Sequence, residues 1–134
     1  MIAELLAGHA PTDTTAGFWE AAARGELAIQ RCGACGHLQH PPRPCCAVCA
    51  ATDLAFTPVA GAGSVHSYTV VERAFVEELR PHVPYVLGLV DLTEGPRLLT
   101  LLRVPPEQVQ IDLPVRVAFE QIAGVALPVF VARD

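Results

Sequence analysis

The chain has 134 residues, is 51% hydrophobic and 17% charged, and carries a formal charge of −5 in which all nine basic residues are arginine. This balance describes a globular chain and excludes an intrinsically disordered one, and no apolar run reaches membrane-spanning length. Scattered arginines in an acidic chain argue against broad nucleic-acid binding, which is driven by phosphate neutralisation. Met1 to Leu6 lack the basic region and apolar core of an export signal, so the expected compartment is the reducing cytoplasm.

Residues 1–12 show little pattern and are read as an arm ending near Pro11. Thr14 or Thr15 is placed to cap a helix with Phe18, Trp19, Ala22 and Ala23 near one face, and Gly25 stops it. Leu27 and Ile29 alternate with polar residues, predicting a short strand that leads to Cys32. From Leu54 onward the texture is that of strands, at 54–60, 64–73, 84–93, 97–104, 115–120 and 127–132. Glycine-containing turns separate several of them. The runs Val86–Leu92 and Leu98–Leu102 are apolar enough to be buried on both faces. Pro105 to Val109 fit one helical turn.

If 54–60 and 64–73 are one bent strand, five strands remain, with the helical turn between the third and fourth. That order matches the five-stranded Greek-key OB-fold barrel. A small open sheet or sandwich is the alternative.

Four cysteines form two pairs, Cys32-Gly33-Ala34-Cys35 and Cys46-Ala47-Val48-Cys49, ten residues apart. Two such knuckles can place four thiolates at the corners of a tetrahedron, as a structural Zn2+ requires. Buried free thiols, or a redox disulfide within one pair, are the competing readings. A redox Cys-x-x-Cys sits at a helix start, however, and here Pro41, Pro42 and Pro44 exclude a helix between the pairs. A four-sulfur site is closed, so it is structural rather than catalytic. Cys45 is expected to point away from the metal, and His37 and His40 to lie at the surface rather than replace a cysteine.

A catalytic set is not evident. There is no lysine for a Schiff base or a phosphate loop, and no Gly-x-Ser-x-Gly. His66, beside Ser67 and Tyr68, reads as a solvated strand histidine. The aromatic face of Phe18-Trp19 needs a covering surface, supplied by the ribbon or by another chain. The segment Phe75–His82 reads as an irregular crossover of the kind that binds partners or ligands.

The ordered string of Phe18-Trp19-Glu20, Arg31-Cys32, Cys35-Gly36-His37, Pro41-Pro42-Arg43, Cys46 and Cys49, followed by Gly61-Ala62-Gly63-Ser64 and Pro128-Val129-Phe130, resembles the OB-fold, acyl-CoA-associated zinc-ribbon family (domain of unknown function thirty-five). Departures are Ala47 where proline is common, and Ala50 and Asp112 where glycine is common. The resemblance implies a mainly β chain in three parts: an N-terminal arm and helix (1–25), a rubredoxin-like zinc ribbon (26–53) and an OB-fold barrel (54–134). It implies structural Zn2+ on Cys32, Cys35, Cys46 and Cys49. It also implies a non-catalytic accessory subunit that binds a thiolase-fold enzyme (a thiolase, lipid-transfer-type aldolase or acyltransferase) and helps bind or channel its acyl-CoA, in steroid side-chain or other lipid degradation. Phe18, Trp19, His40 and Arg43 are the expected contacts to acyl-CoA or partner. Arg43, held by neighbouring prolines, suits a CoA phosphate or a partner carboxylate, with a salt bridge to the chain's own acids as the alternative. A single-stranded nucleic-acid-binding protein built on the same ribbon and barrel is the competing function.

Overall fold

The computed structural model describes residues 11–122 and 124–133. The arm predicted at 1–12 lies almost wholly outside them.

Helix α1 spans Ala16–Ala23. Thr15 is its N-cap residue, one of the two predicted threonines, although its side chain makes no capping bond to the helix's own amides. The Thr12 hydroxyl accepts the Thr15 amide at 3.2 Å, and the Thr15 hydroxyl accepts the Thr12 amide at 2.9 Å. The two threonines thus bond reciprocally across the turn that leads into the helix, in the manner of a capping box. Gly25 ends the helix at φ +79°. The amides of Glu26 and Gly25 close onto the carbonyls of Ala21 and Ala22, the two bonds of a Schellman stop.

Strands β1 (Ala28–Cys32), β2 (Leu38–Gln39) and β3 (Leu54–Pro58) form a three-stranded sheet in the order β2-β1-β3. Residues 54–58 therefore do not continue into the barrel as one bent strand. They pair antiparallel with all five residues of β1, from Ala28 opposite Pro58 to Cys32 opposite Leu54. The strand's backbone needs partners, β1 offers an edge, and Gly61 at φ +80° breaks the path beyond.

The barrel contains β4 (Ala62–Val71), β5 (Tyr85–Leu92), β6 (Arg97–Leu102), β7 (Pro114–Ile122) and β8 (Val125–Ala132), closed in the order β4-β5-β6-β8-β7. The β6–β8 pair is parallel and the others are antiparallel. This is the five-stranded OB arrangement, with β4 alone as its first strand. A 3-10 helix at Glu77–His82 occupies the crossover before β5. The helical turn expected at 105–109 is reduced to one bond, Gln108 N–H to the Pro105 carbonyl at 2.8 Å.

Strands β5 and β6 alternate. Val86, Val90, Leu92, Leu98 and Leu102 point into the core with Val65, Val115 and Phe130. Gly88 takes an inward position where a Cβ would strike Leu102 and the Ser67 carbonyl. The leucines between them point outward, so these strands are not buried on both faces: Leu87, Leu89 and Leu101 are half-buried, and Leu99 is 71% exposed. One wall of the barrel is thus apolar outside as well as inside.

Candidate functional site

The two knuckles repeat one backbone pattern. Cys32 N–H donates to the His37 carbonyl and Gly36 N–H returns to the Cys32 carbonyl; Cys46 and Ala50 do the same with Ala51 and Cys46. The fifth residue of each pattern is left-handed, Gly36 at φ +81° and Ala50 at φ +63°. Ala50 thus occupies a position that glycine accepts without strain.

The patterns bring Cys32, Cys35, Cys46 and Cys49 together, with all four Sγ atoms within 4.8 Å of one another. Cys32 and Cys49, and likewise Cys35 and Cys46, approach to 3.6 Å. Tetrahedral Zn–S bonds put sulfurs about 3.8 Å apart, so the set fits zinc. The histidines are outside this group, and Cys45 is exposed.

The first cysteine of each knuckle accepts amide hydrogens. The Cys35 amide lowers the Cys32 thiol, and the Cys49 amide leads the shift of Cys46 to about 6. Around Cys49 the Ala51 amide pulls downward, but Cys32, burial and the other sulfurs push the thiol up to about 12. Four crowded sulfurs resist full ionisation until a cation joins them.

A buried glutamine pair, which the sequence reading missed, joins the knuckles to the proline hairpin. Gln39 Nε2 donates to Gln30 Oε1 at 2.7 Å and to the Cys45 carbonyl at 3.2 Å. Gln39 Oε1 accepts the Ala47 amide at 2.9 Å. Gln30 holds the Arg43 backbone at both its N–H and its carbonyl, each at 2.9 Å. The alternation of polar Gln30 with apolar Ile29 suggested a solvated side chain, yet Gln30 is only 4% exposed. Arg43's backbone is therefore fixed, while its side chain is exposed and makes no ion pair among the described residues.

Phe18, Trp19 and His40 converge on one cavity of about 410 Å³ between α1, the hairpin at Pro41-Pro42 and the outer face of β5, β6 and β8. Phe18 packs edge-on to Trp19, with ring centroids 5.0 Å apart, and lies 5.3 Å from the His40 ring. Leu87, Leu99, Leu101 and Leu127 line the opposite wall. Burial lowers the His40 pKa, which keeps the ring neutral near pH 7. Its Nδ1 is buried with no hydrogen-bond partner among the described residues. Arg43 lines a separate cleft with His37 and Glu94, and His40 borders both spaces. The leucine wall was legible only as an apolar excess in two strands.

His66 is exposed on the barrel, where Arg97 Nη2 lies 3.3 Å from its Nδ1 and Asp91 lies at 3.4 Å. Phe75, in the crossover, is 95% exposed. No helix of the described residues is long and apolar enough to cross a membrane.

Two family profiles match the chain in tandem: "ChsH2, rubredoxin-like zinc ribbon domain" over residues 19–55 and "ChsH2, C-terminal OB-fold domain" over residues 56–120. A solved chain titled "Ltp2-ChsH2(DUF35) aldolase" superposes with a TM-score of 0.83 at 40% identity, covering 92% of this chain and 97% of that one. The chain belongs to the ChsH2-type DUF35 family.

A DUF35 structure from Sulfolobus solfataricus shares the fold at 16% identity, with a TM-score of 0.67 over 98% of this chain and 94% of that one. The "Probable enoyl-CoA hydratase alpha subunit" of Thermomonospora curvata is 43% identical over 84% of this chain and 36% of its own length. The "3-oxo-4,17-pregnadiene-20-carboxyl-CoA hydratase alpha subunit" of Mycobacterium tuberculosis is 38% identical over 78% of this chain and 33% of its own. The chain thus spans about a third of these two relatives. A "DUF35 domain-containing scaffold protein" of Methanocaldococcus jannaschii is 32% identical over 69% and 66% of the two chains.

Proposed function

We propose that this chain is a non-catalytic accessory subunit of a thiolase-fold enzyme acting on acyl-CoA, with catalysis residing in the partner. The observation that carries the reading is the near-complete overlap with the DUF35 chain of the Ltp2-ChsH2 aldolase. The coenzyme-A thioester in the name of the mycobacterial relative supports a lipid or steroid-derived acyl group.

In this reading Zn2+ is held by Cys32, Cys35, Cys46 and Cys49. Four thiolates fill its coordination, so it staples the ribbon and leaves the chemistry to the partner. The proline hairpin then presents Arg43, whose free guanidinium suits a CoA phosphate or a partner carboxylate. Phe18, Trp19 and His40 face the acyl group or the partner. Five free cysteines fit the reducing cytoplasm.

Co-expression with the thiolase-fold subunit tests the proposal. The two chains are expected to copurify, and the partner alone to be less soluble or slower with acyl-CoA. A partner equally soluble and active alone, with no complex, overturns it. Salt-sensitive binding of single-stranded DNA in place of the complex would establish the competing function.

A further inference from the structure

Gln30 on β1 and Gln39 on β2 stand directly opposite each other in the ribbon sheet. Their backbone partners settle how both amides are turned. The Arg43 and Ala47 N–H groups are donors, so each faces a glutamine oxygen, Gln30 Oε1 and Gln39 Oε1, both at 2.9 Å. Each Nε2 is then left to donate. Gln30 gives to the Arg43 carbonyl, and Gln39 gives to Gln30 Oε1 and the Cys45 carbonyl. One path of hydrogen bonds thus runs from Ala47 through Gln39 and Gln30 to Arg43.

The two ends of this path differ in kind. Ala47 lies inside the second knuckle, between Cys46 and Cys49, whose sulfurs approach Cys35 and Cys32 to 3.6 Å. Arg43 lies in the hairpin, where residues 41–44 belong to no strand. Pro41, Pro42 and Pro44 have no backbone N–H, so Arg43 carries the single amide donor of residues 41–44. Gln30 takes that donor. The hairpin is therefore placed by side chains from the knuckle side rather than by a strand ladder. The exposed Arg43 guanidinium, which has no ion pair among the described residues, points where that placement sends it.

We infer that Gln30 and Gln39 are positioning residues that set the direction of Arg43 from the metal-bound second knuckle. Metal and the anion met by Arg43 then bind with positive, reciprocal coupling. The nature of that anion rests on the accessory-subunit reading, whereas the relay is defined by the chain alone.

Two measurements on the metal-loaded full chain test it. In the first, Cd2+ replaces Zn2+, which enlarges the four-sulfur site without emptying it, and the amide resonances are compared. The Arg43 amide is expected to shift along with that of Ala47. In Gln39→Leu the Gly36 amide of the first knuckle should still respond to the metal, while Arg43 no longer does. Gln30→Leu cuts the relay at its other end and gives the same reading should Gln39→Leu not fold. An Arg43 amide indifferent to the metal, or one that still responds in the variants, overturns the relay.

The second is a cycle of partner affinities, zinc-loaded throughout. Arg43→Ala should weaken the complex about tenfold. Gln30→Leu should weaken it roughly three- to tenfold alone, but less than about twofold once Arg43 is alanine. Equal losses in both backgrounds would make Gln30 a merely structural residue and overturn its positioning role. If Arg43→Ala leaves the partner's affinity unchanged, the same cycle is read with CoA, and no response to either overturns the role. If no complex forms at all, the accessory reading fails, and the metal exchange still decides the relay.

Discussion

Gln39 Nε2 donates to Gln30 Oε1 across 2.7 Å inside the ribbon, and through this bond β1, β2, the hairpin and the second knuckle become one unit. Each amide also holds backbone groups of the hairpin or second knuckle in part-buried bonds. Gln30→Leu would strand the Arg43 N–H and carbonyl together with a donor of Gln39. Destabilisation by about 2–4 kcal/mol is expected, read as a lower denaturant midpoint of the zinc-loaded chain. A loss below half a kcal/mol would mean that water replaces the network.

Metal removal should act on the ribbon first. The purified chain is expected to carry one zinc, and chelation or Cys46→Ala should expose β1–β3 to proteolysis and hydrogen exchange before the barrel, because metal binding and local folding are coupled. The pH dependence follows from the thiols. Cys46, lowered to about 6, is already ionised at neutral pH, whereas Cys49, pushed up to about 12, must release a proton when the metal binds. Zinc affinity should therefore rise with pH across the neutral range. A competition titration with a chromogenic chelator at several pH values checks the slope, and a flat profile would contradict the ligand set.

Ala50 stands at φ +63°, a backbone region that costs a residue with a Cβ about 1–2 kcal/mol. Ala50→Gly should stabilise the chain by about 0.5–1 kcal/mol after the entropy cost of glycine. Asp112→Gly, at φ +68°, should gain less, because aspartate tolerates that region better than alanine. Thermal midpoints of the two variants rank the effects.

Gly17 presents the opposite case. Alanine is worth about 1 kcal/mol more than glycine in a helix, yet a Cβ at Gly17 would enter the ring of Phe56 on β3. Gly17→Ala should therefore destabilise, by about 1–3 kcal/mol of overpacking. A midpoint equal to or above wild type would show that Phe56 rotates away freely.

Arg103 grips Glu120 through two hydrogen bonds of 2.7 and 2.8 Å, and those bonds hold the Glu120 carboxyl below its ordinary pKa. A lowered folded-state pKa stabilises above the unfolded value, and the benefit is lost as pH falls through the folded one. Both side chains are part-exposed, so Glu120→Gln should cost under about 1 kcal/mol at neutral pH. The difference should vanish in acid. Denaturation curves at neutral and acid pH test the sign.

Local chemistry made much of this molecule readable. Cysteine spacing marks the knuckles because thiolates with two residues between them share a turn. Ala50 and Asp112 stood out as departures from the resembled family, where glycine is common, and both prove to be left-handed. Alternating apolar residues marked the barrel strands, since only one face of each enters the core. Other features were hidden for an equally physical reason. Thr12 reads as loop until its hydroxyl meets Thr15, and Gln30 reads only as the polar side of an alternating strand because a polar side chain does not announce its partner.

The residues by themselves determined the paired cysteine knuckles and the apolar strands that close into a five-stranded barrel. These follow from spacing and periodicity, which are local. Only the tertiary structure decided that residues 54–58 join β1 rather than the barrel. It alone brought α1, the proline hairpin and the leucine face of β5 and β6 around one cavity. Both outcomes depend on which edge and which apolar face meet in space, and residues as far apart as Phe18 and Leu127 meet only after the chain has closed on itself.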